Sequence, residues 1–181
     1  MTILLFGVSN VGKSVTGALL ATKLNYDFYD IDEEIKKSLR ISLEEFVSTG
    51  TLYQRDQIRC KLLSRLLHQK GNKVIAVTPL SYMENYKQPF FHSKEVLAIE
   101  LLDTVENIFG RLVFSDENDM VYKDDFYKSK HKQYYLSEIT SDLKWYGSVY
   151  ADIDHKFNMA GKSPDNVVDS LLLEFQFDKE S

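Results

Sequence analysis

The chain has 181 residues, 44% of them apolar and 27% charged, which suits one full core, so a single domain over residues 1–181 is expected. Acidic residues number 27 against 22 Lys and Arg, and the formal net charge of −5 excludes a general nucleic-acid binder, whose surface must neutralise phosphates. Cys60 is the only cysteine, which excludes an internal disulfide or a thiolate cluster, and no apolar run approaches a membrane span or fits a secretory signal, so the protein is expected in the cytoplasm.

A first strand is expected over residues 2–6, ending at Gly7-Val-Ser-Asn-Val-Gly-Lys-Ser14. The spacing G-x-x-x-x-G-K-S between a strand and a helix reads as a phosphate-binding loop. Its glycines let the backbone curl so that successive N–H groups converge on phosphate oxygens, and the following helix adds its positive end. Gly7, Asn10, Val11, Gly12, Lys13, Ser14 and Val15 are the expected nucleotide contacts, with Lys13 reaching the β- and γ-phosphates and Ser14 holding Mg²⁺. Gly17, Leu20, Ala21 and Leu24 recur at helical spacing and predict the first helix's buried face.

Residues 26–32 read as a second strand carrying Asp30 and Asp32 at its carboxyl end. Two carboxylates two apart in an extended segment point to one side, where one can serve a metal shell and the other a substrate hydroxyl. The pair equally suits the acidic start of a helix over residues 33–39. Ser42 with Glu45 predicts a capping box for a helix to Gly50. A long helix over residues 52–69 is expected to bury Ile58, Leu62, Leu63, Leu66 and Leu67. Arg55 and Arg59 extend that stripe, as ligands of an anion, partners of a structural carboxylate, or cations reaching over the core edge.

Strands are expected over residues 73–78 and 96–101, the former without an acidic residue at its end; residues 81–94 read as irregular with a helical turn. Asp103 with Glu106 suits a helix start for residues 104–114, with Arg111 late in it. Residues 114–130 are charged and lose apolar periodicity, as either a solvated loop or a lid that excludes water. A helix to about Tyr146, a strand over residues 152–158, and a last helix capped by Ser163 with Pro164 first complete the chain; that helix buries Val167, Val168, Leu171, Leu172 and Phe175. His68, His92, His131 and His155 lack metal-ligand spacing, so zinc is not expected. The aromatic residues Tyr122, Phe126, Tyr127, Tyr134 and Tyr135 are expected to pack core and lid. Alternating strands and helices predict an α/β fold, three layers around a central parallel sheet of about five strands.

The glycine loop, Asp30 and Asp32, the Ser-Leu-Glu-Glu-Phe run at 42–46, Gly50, Arg55, Tyr-Ala-Asp-Ile at 150–153 and Ser-Pro-Asp-Asn-Val-Val at 163–168 together resemble the shikimate kinase family, within the nucleoside-monophosphate-kinase-like P-loop enzymes. The resemblance implies a kinase using ATP and Mg²⁺ to phosphorylate a hydroxyl of a small anionic acceptor, with no nucleic-acid or membrane partner, as a monomer. It implies catalytic roles for Lys13 and Asp32, an acceptor contact from Asp32 and Arg55, a metal shell from Ser14 and Asp30, and a nucleotide contact from Arg111. Three departures stand out. Val77-Thr78-Pro79 occupies the place of the family's glycine triplet, Asn118 to Val121 that of a lid arginine, and Lys144 is the nearest cation to the place of a second carboxylate-binding arginine. The nucleotide half matches and the acceptor half is altered, which keeps two other readings open: a same-fold kinase for a nucleoside, nucleotide or sugar acid, and a nucleotide-binding module without turnover.

Overall fold

In a computed structural model, which describes residues 1–116 and 118–177, the first strand β1 (Thr2–Phe6) lies at the centre of a five-stranded parallel sheet. Glu117 of the expected lid and residues 178–181 lie outside the described residues. Helix α1 (Lys13–Leu24) leads to β2 (Asp27–Asp30), followed by α2 (Ile31–Leu39), α3 (Leu43–Ser48) and α4 (Leu52–Leu67). Strand β3 (Lys73–Ala76), a 3-10 turn (Glu84–Tyr86), α5 (Lys87–Phe91), β4 (Val96–Leu102) and α6 (Val105–Arg111) come next. A hairpin of β5 (Phe114–Ser115) and β6 (Val121–Tyr122), then α7 (Asp125–Lys130), α8 (Lys132–Val149), β7 (His155–Asn158) and α9 (Pro164–Phe175) complete the order. The sheet runs β2-β3-β1-β4-β7, with Leu4 of β1 set between Ile75 and Ala98.

Every residue of β1 is buried because both faces of a parallel sheet are covered by crossover helices. Alternation splits its side chains. Ile3 and Leu5 pack with Leu20, Ile108, Val168 and Leu171, whereas Leu4 and Phe6 pack with Ile31, Phe46, Leu63 and Phe90. The β1 end, Asp30, Thr78 and Asp103 thereby gather at the carboxyl edge, where open α/β sheets place their ligands. No helix among the described residues is long and apolar enough to cross a membrane.

Several boundaries differ from expectation for local reasons. The second strand stops at Asp30, whose Oδ1 accepts from Asp32 N at 2.9 Å and caps α2. Asp30 and Asp32 therefore do not project from one side of an extended segment. Ile58 is 40% exposed, since the buried face of α4 is Asp56, Arg59, Cys60, Leu62, Leu63 and Leu66. Two of those positions are polar, which displaced the centre of a stripe counted from apolar residues alone. Thr51, not singled out by pattern, caps α4 in a reciprocal box with Gln54. Thr104 rather than Asp103 caps α6, which ends at Arg111. Residues 81–94 hold α5 as well as a turn, with Phe90 and Phe91 buried and Pro89 third in the helix, where its missing N–H has no intrahelical acceptor to lose. The last strand begins at His155 rather than Asp152. Ser163 and Pro164 start α9 as expected.

Candidate functional site

The loop after β1 needs its glycines. Gly7 has φ 136°, and a Cβ there would lie 2.6 Å from the Leu101 carbonyl oxygen; Gly12, at φ 115°, turns the chain into α1. Asn10 takes the left-handed region at φ 60°, which asparagine tolerates. The Val11 side chain is wholly buried in the core, so only its backbone is offered to a ligand, while Val15 is exposed on the first turn of α1. The carbonyl of Val11 accepts from Arg111 Nη1 at 3.4 Å. Arg111 Nη2 also donates to Asp103, a buried carboxylate that further accepts from Asn107 Nδ2 at 2.7 Å and Gly161 N at 3.2 Å. That cluster fastens α6 and the segment after β7 to the rim of the loop.

Lys13, only 8% exposed, donates to the carbonyls of Gly7 at 2.9 Å and Val8 at 2.7 Å. Burial lowers its ammonium to about 8, although the neighbouring Asp32 and Asp30 pull the other way. Ser14 Oγ donates to Asp30 Oδ2 at 2.5 Å. Asp30 thus unites both readings of the acidic pair, as one oxygen caps a helix and the other meets the loop serine.

Asp32 lies one residue into α2. Burial raises its carboxyl, and the Thr78 hydroxyl and Arg59 offset that in part. Its Oδ1 is buried without a hydrogen-bond partner among the described residues, with Arg59 Nη2 3.7 Å away. Arg59 is 7% exposed, stands 5.0 Å over the Phe46 ring, and has Nη1 3.4 Å from Asp56 Oδ1. Arg55 does not share this place: its Nη1 donates to the carbonyls of Thr49 at 3.0 Å and Gly50 at 2.9 Å, closing the end of α3. The guanidinium beside Asp32 is that of Arg59. Asp56, an acid three residues before it on an otherwise apolar face, was the available signal.

Lys13, Ser14, Asp30 and Asp32 converge with Asn10 and the segment from Ala76 to Pro79 on one cleft of about 180 Å³. A larger groove of about 940 Å³ lies at the opposite edge of the sheet among Met1, His68, Lys70, Lys94 and Glu95, away from the glycine loop and the acidic pair. The smaller cleft is the candidate site on chemistry. Ser14 and Asp30 supply the hard oxygen donors that suit Mg²⁺.

The stretch expected to be lid or loop is a hairpin followed by a helix. Phe114 packs on Tyr122, Tyr127 and Tyr135, and Lys128 Nζ donates to the Gly110 and Leu112 carbonyls, anchoring its base; Phe126 is exposed. At the tip, Asp119 at φ 60° accepts from Leu43 N at 2.9 Å, with Lys36 3.9 Å away. On α8, Lys144 is exposed, and Trp145 Nε1 donates to Ser81 Oγ at 3.1 Å.

The family model described as Shikimate kinase matches residues 9–175. A shikimate kinase of Persephonella marina is 30% identical, with 94% of this chain and 96% of that protein covered. The crystal structure of shikimate kinase from Aquifex aeolicus superposes with a TM-score of 0.69 at 27% identity, covering 97% of this chain and 96% of the other. That from Bacteroides thetaiotaomicron gives 0.77 at 20% identity, covering 98% and 99%, a likeness of fold.

Proposed function

This chain belongs to the shikimate kinase family, and from that premise we propose that it transfers the γ-phosphoryl of ATP to a hydroxyl of shikimate. One observation carries the reading: Lys13, the Ser14–Asp30 pair and the partly unpaired carboxylate of Asp32 open on the same cleft. Phosphoryl transfer asks mainly for positioning and charge neutralisation, which this set supplies.

In this reading Gly7, Asn10, Val11, Gly12 and the start of α1 at Val15 cradle the triphosphate, Lys13 leaves its loop carbonyls for the β- and γ-phosphates, and Arg111 flanks the nucleotide. Ser14 and Asp30 hold Mg²⁺, whose charge when bound offsets that of the phosphate oxygens. Asp32 accepts the hydrogen bond, and then the proton, of the acceptor hydroxyl. The acceptor carboxylate falls to Arg59, with Arg55 one turn away. The enzyme works in the cytoplasm as a monomer on a small molecule, without nucleic acid or membrane.

ADP release measured with shikimate beside nucleosides, nucleotides and sugar acids tests the reading. Shikimate-dependent release is the expected outcome. Release driven better by another acceptor reassigns the substrate, and nucleotide binding without acceptor-dependent turnover makes the chain a binding module.

The hairpin serves as the lid, and its contact from Asp119 to Leu43 N ties it to the acceptor side of the site. Asp119→Ala releases the hairpin tip from α3, so closing it over shikimate should cost more and KM for shikimate should rise by up to about tenfold while ATP affinity is kept. Hydrogen exchange over residues 114–130 should slow in wild type with both substrates present. Equal protection in free and loaded protein would remove the lid.

A further inference from the structure

Asp56 is a carboxylate for which the roles above provide no task. It sits in the second turn of α4 with no exposed surface. An ionised group that deep is sustained only where donors replace lost water. Its oxygens divide the donors between them. Oδ2 accepts from Ser81 N at 2.8 Å and Tyr82 N at 3.0 Å, and Oδ1 faces Arg59 Nη1 at 3.4 Å.

The first contact fixes the segment after β3, whose Thr78 side chain borders Asp32. The second holds one edge of the Arg59 guanidinium, while the Phe46 ring holds its face. Arg59 Nη2 consequently stops 3.7 Å from Asp32 Oδ1, beyond hydrogen-bond reach, and that oxygen keeps no hydrogen-bond partner among the described residues. One guanidinium between two carboxylates has a choice. Without Asp56 it would close onto Asp32 as a paired fork and neutralise the carboxylate that an acceptor hydroxyl needs.

Resting on the phosphoryl-transfer reading, we propose that Asp56 is a positioning residue that restrains Arg59 from Asp32 and so keeps the Asp32 carboxylate out of a paired fork and available to the acceptor. It acts through Arg59 and the Ser81–Tyr82 amides, without touching substrate itself.

Asp56→Asn separates the two contacts, because its amide oxygen can still accept from Ser81 and Tyr82 while the charge facing Arg59 is gone. The expected loss in kcat/KM for shikimate is about 100-fold, the scale of a small misplacement in a reacting site. The dissociation constant for Mg·ATP should stay within about twofold, since no nucleotide contact is altered, and emission of Trp145, the single tryptophan, should be unchanged because Ser81 remains held. The NMR signal of Arg59 Nε–H should shift as the guanidinium turns, and the shift should vanish when Asp32→Asn is added.

A wild-type Arg59 signal with normal shikimate kinetics overturns the proposal, as does an equal loss of ATP binding and turnover. A wild type that phosphorylates no shikimate refutes the functional reading instead, and the Arg59 signal then still decides what Asp56 does.

Discussion

Lys13→Met should lower kcat/KM by on the order of 10³ and yet leave the fold at pH 7 no less stable than wild type. The first half follows from the proposed role of Lys13: an ammonium at the β- and γ-phosphates would stabilise charge that grows along the reaction, and methionine offers none. The second follows from burial. A lysine lowered from 10.5 to about 8 is still charged at pH 7, in surroundings that penalise that charge. The shift corresponds to about 3 kcal/mol of destabilisation, part of which methionine relieves while giving up two carbonyl hydrogen bonds. Between pH 8 and 10.5 the unfolded chain binds more protons at this site than the folded one, so this lysine's contribution to stability improves as pH rises. Thermal unfolding of both proteins from pH 7 to 10.5 should therefore show the variant's relative advantage shrinking. Adding Mg·ATP should reverse the order, because only wild type gains the full linkage stabilisation. A variant that melts far below wild type at pH 7 would show that Lys13 is tied favourably into the fold.

Legibility in sequence followed the range of the interaction. The turn after β1 was readable because it is one continuous segment, and its glycines Gly7 and Gly12 answer to backbone angle and to the close approach of Leu101. The parallel sheet was readable because β1 and its neighbours are apolar on both faces. Ser163 and Pro164 were readable because a cap is local. The acidic pair was placed in the right region with the wrong geometry, since Asp30 ends its strand by capping the next helix, a competition that alternation does not register. On α4 a buried ion pair took core positions that apolar counting assigns to carbon, which moved Ile58 outward and set Arg59 beside Asp32. The contact of Asp119 with Leu43 spans 76 residues, and Asp103 gathers donors from α6 and from Gly161; neither leaves a local pattern.

Asp32→Asn should reduce kcat by roughly 10³, within the range of a lost general base, while Mg·ATP affinity at pH 7 changes by less than about twofold. The amide keeps the shape of the carboxylate but cannot take a proton, and the nucleotide contacts assigned to the loop, Lys13, Ser14 and Asp30 are untouched. Folding should tolerate the change. Burial raises the Asp32 carboxyl above its ordinary value, so the native state favours the protonated form, and the site's contribution is lost as pH climbs through that raised value. The neutral amide does not meet that cost at pH 7, so the variant should melt no lower than wild type. A secondary effect identifies the neighbourhood. Asp32 raises the affinity of Lys13 for its proton, and without it Lys13 should discharge below pH 8, so ATP affinity in the variant should decline at lower pH than in wild type. Stopped-flow turnover paired with calorimetric titration across pH 6.5 to 9 resolves these quantities. Parallel losses of kcat and ATP affinity at pH 7 would move Asp32 from the acceptor to the nucleotide, and a lowered melting temperature would make its charge part of the fold.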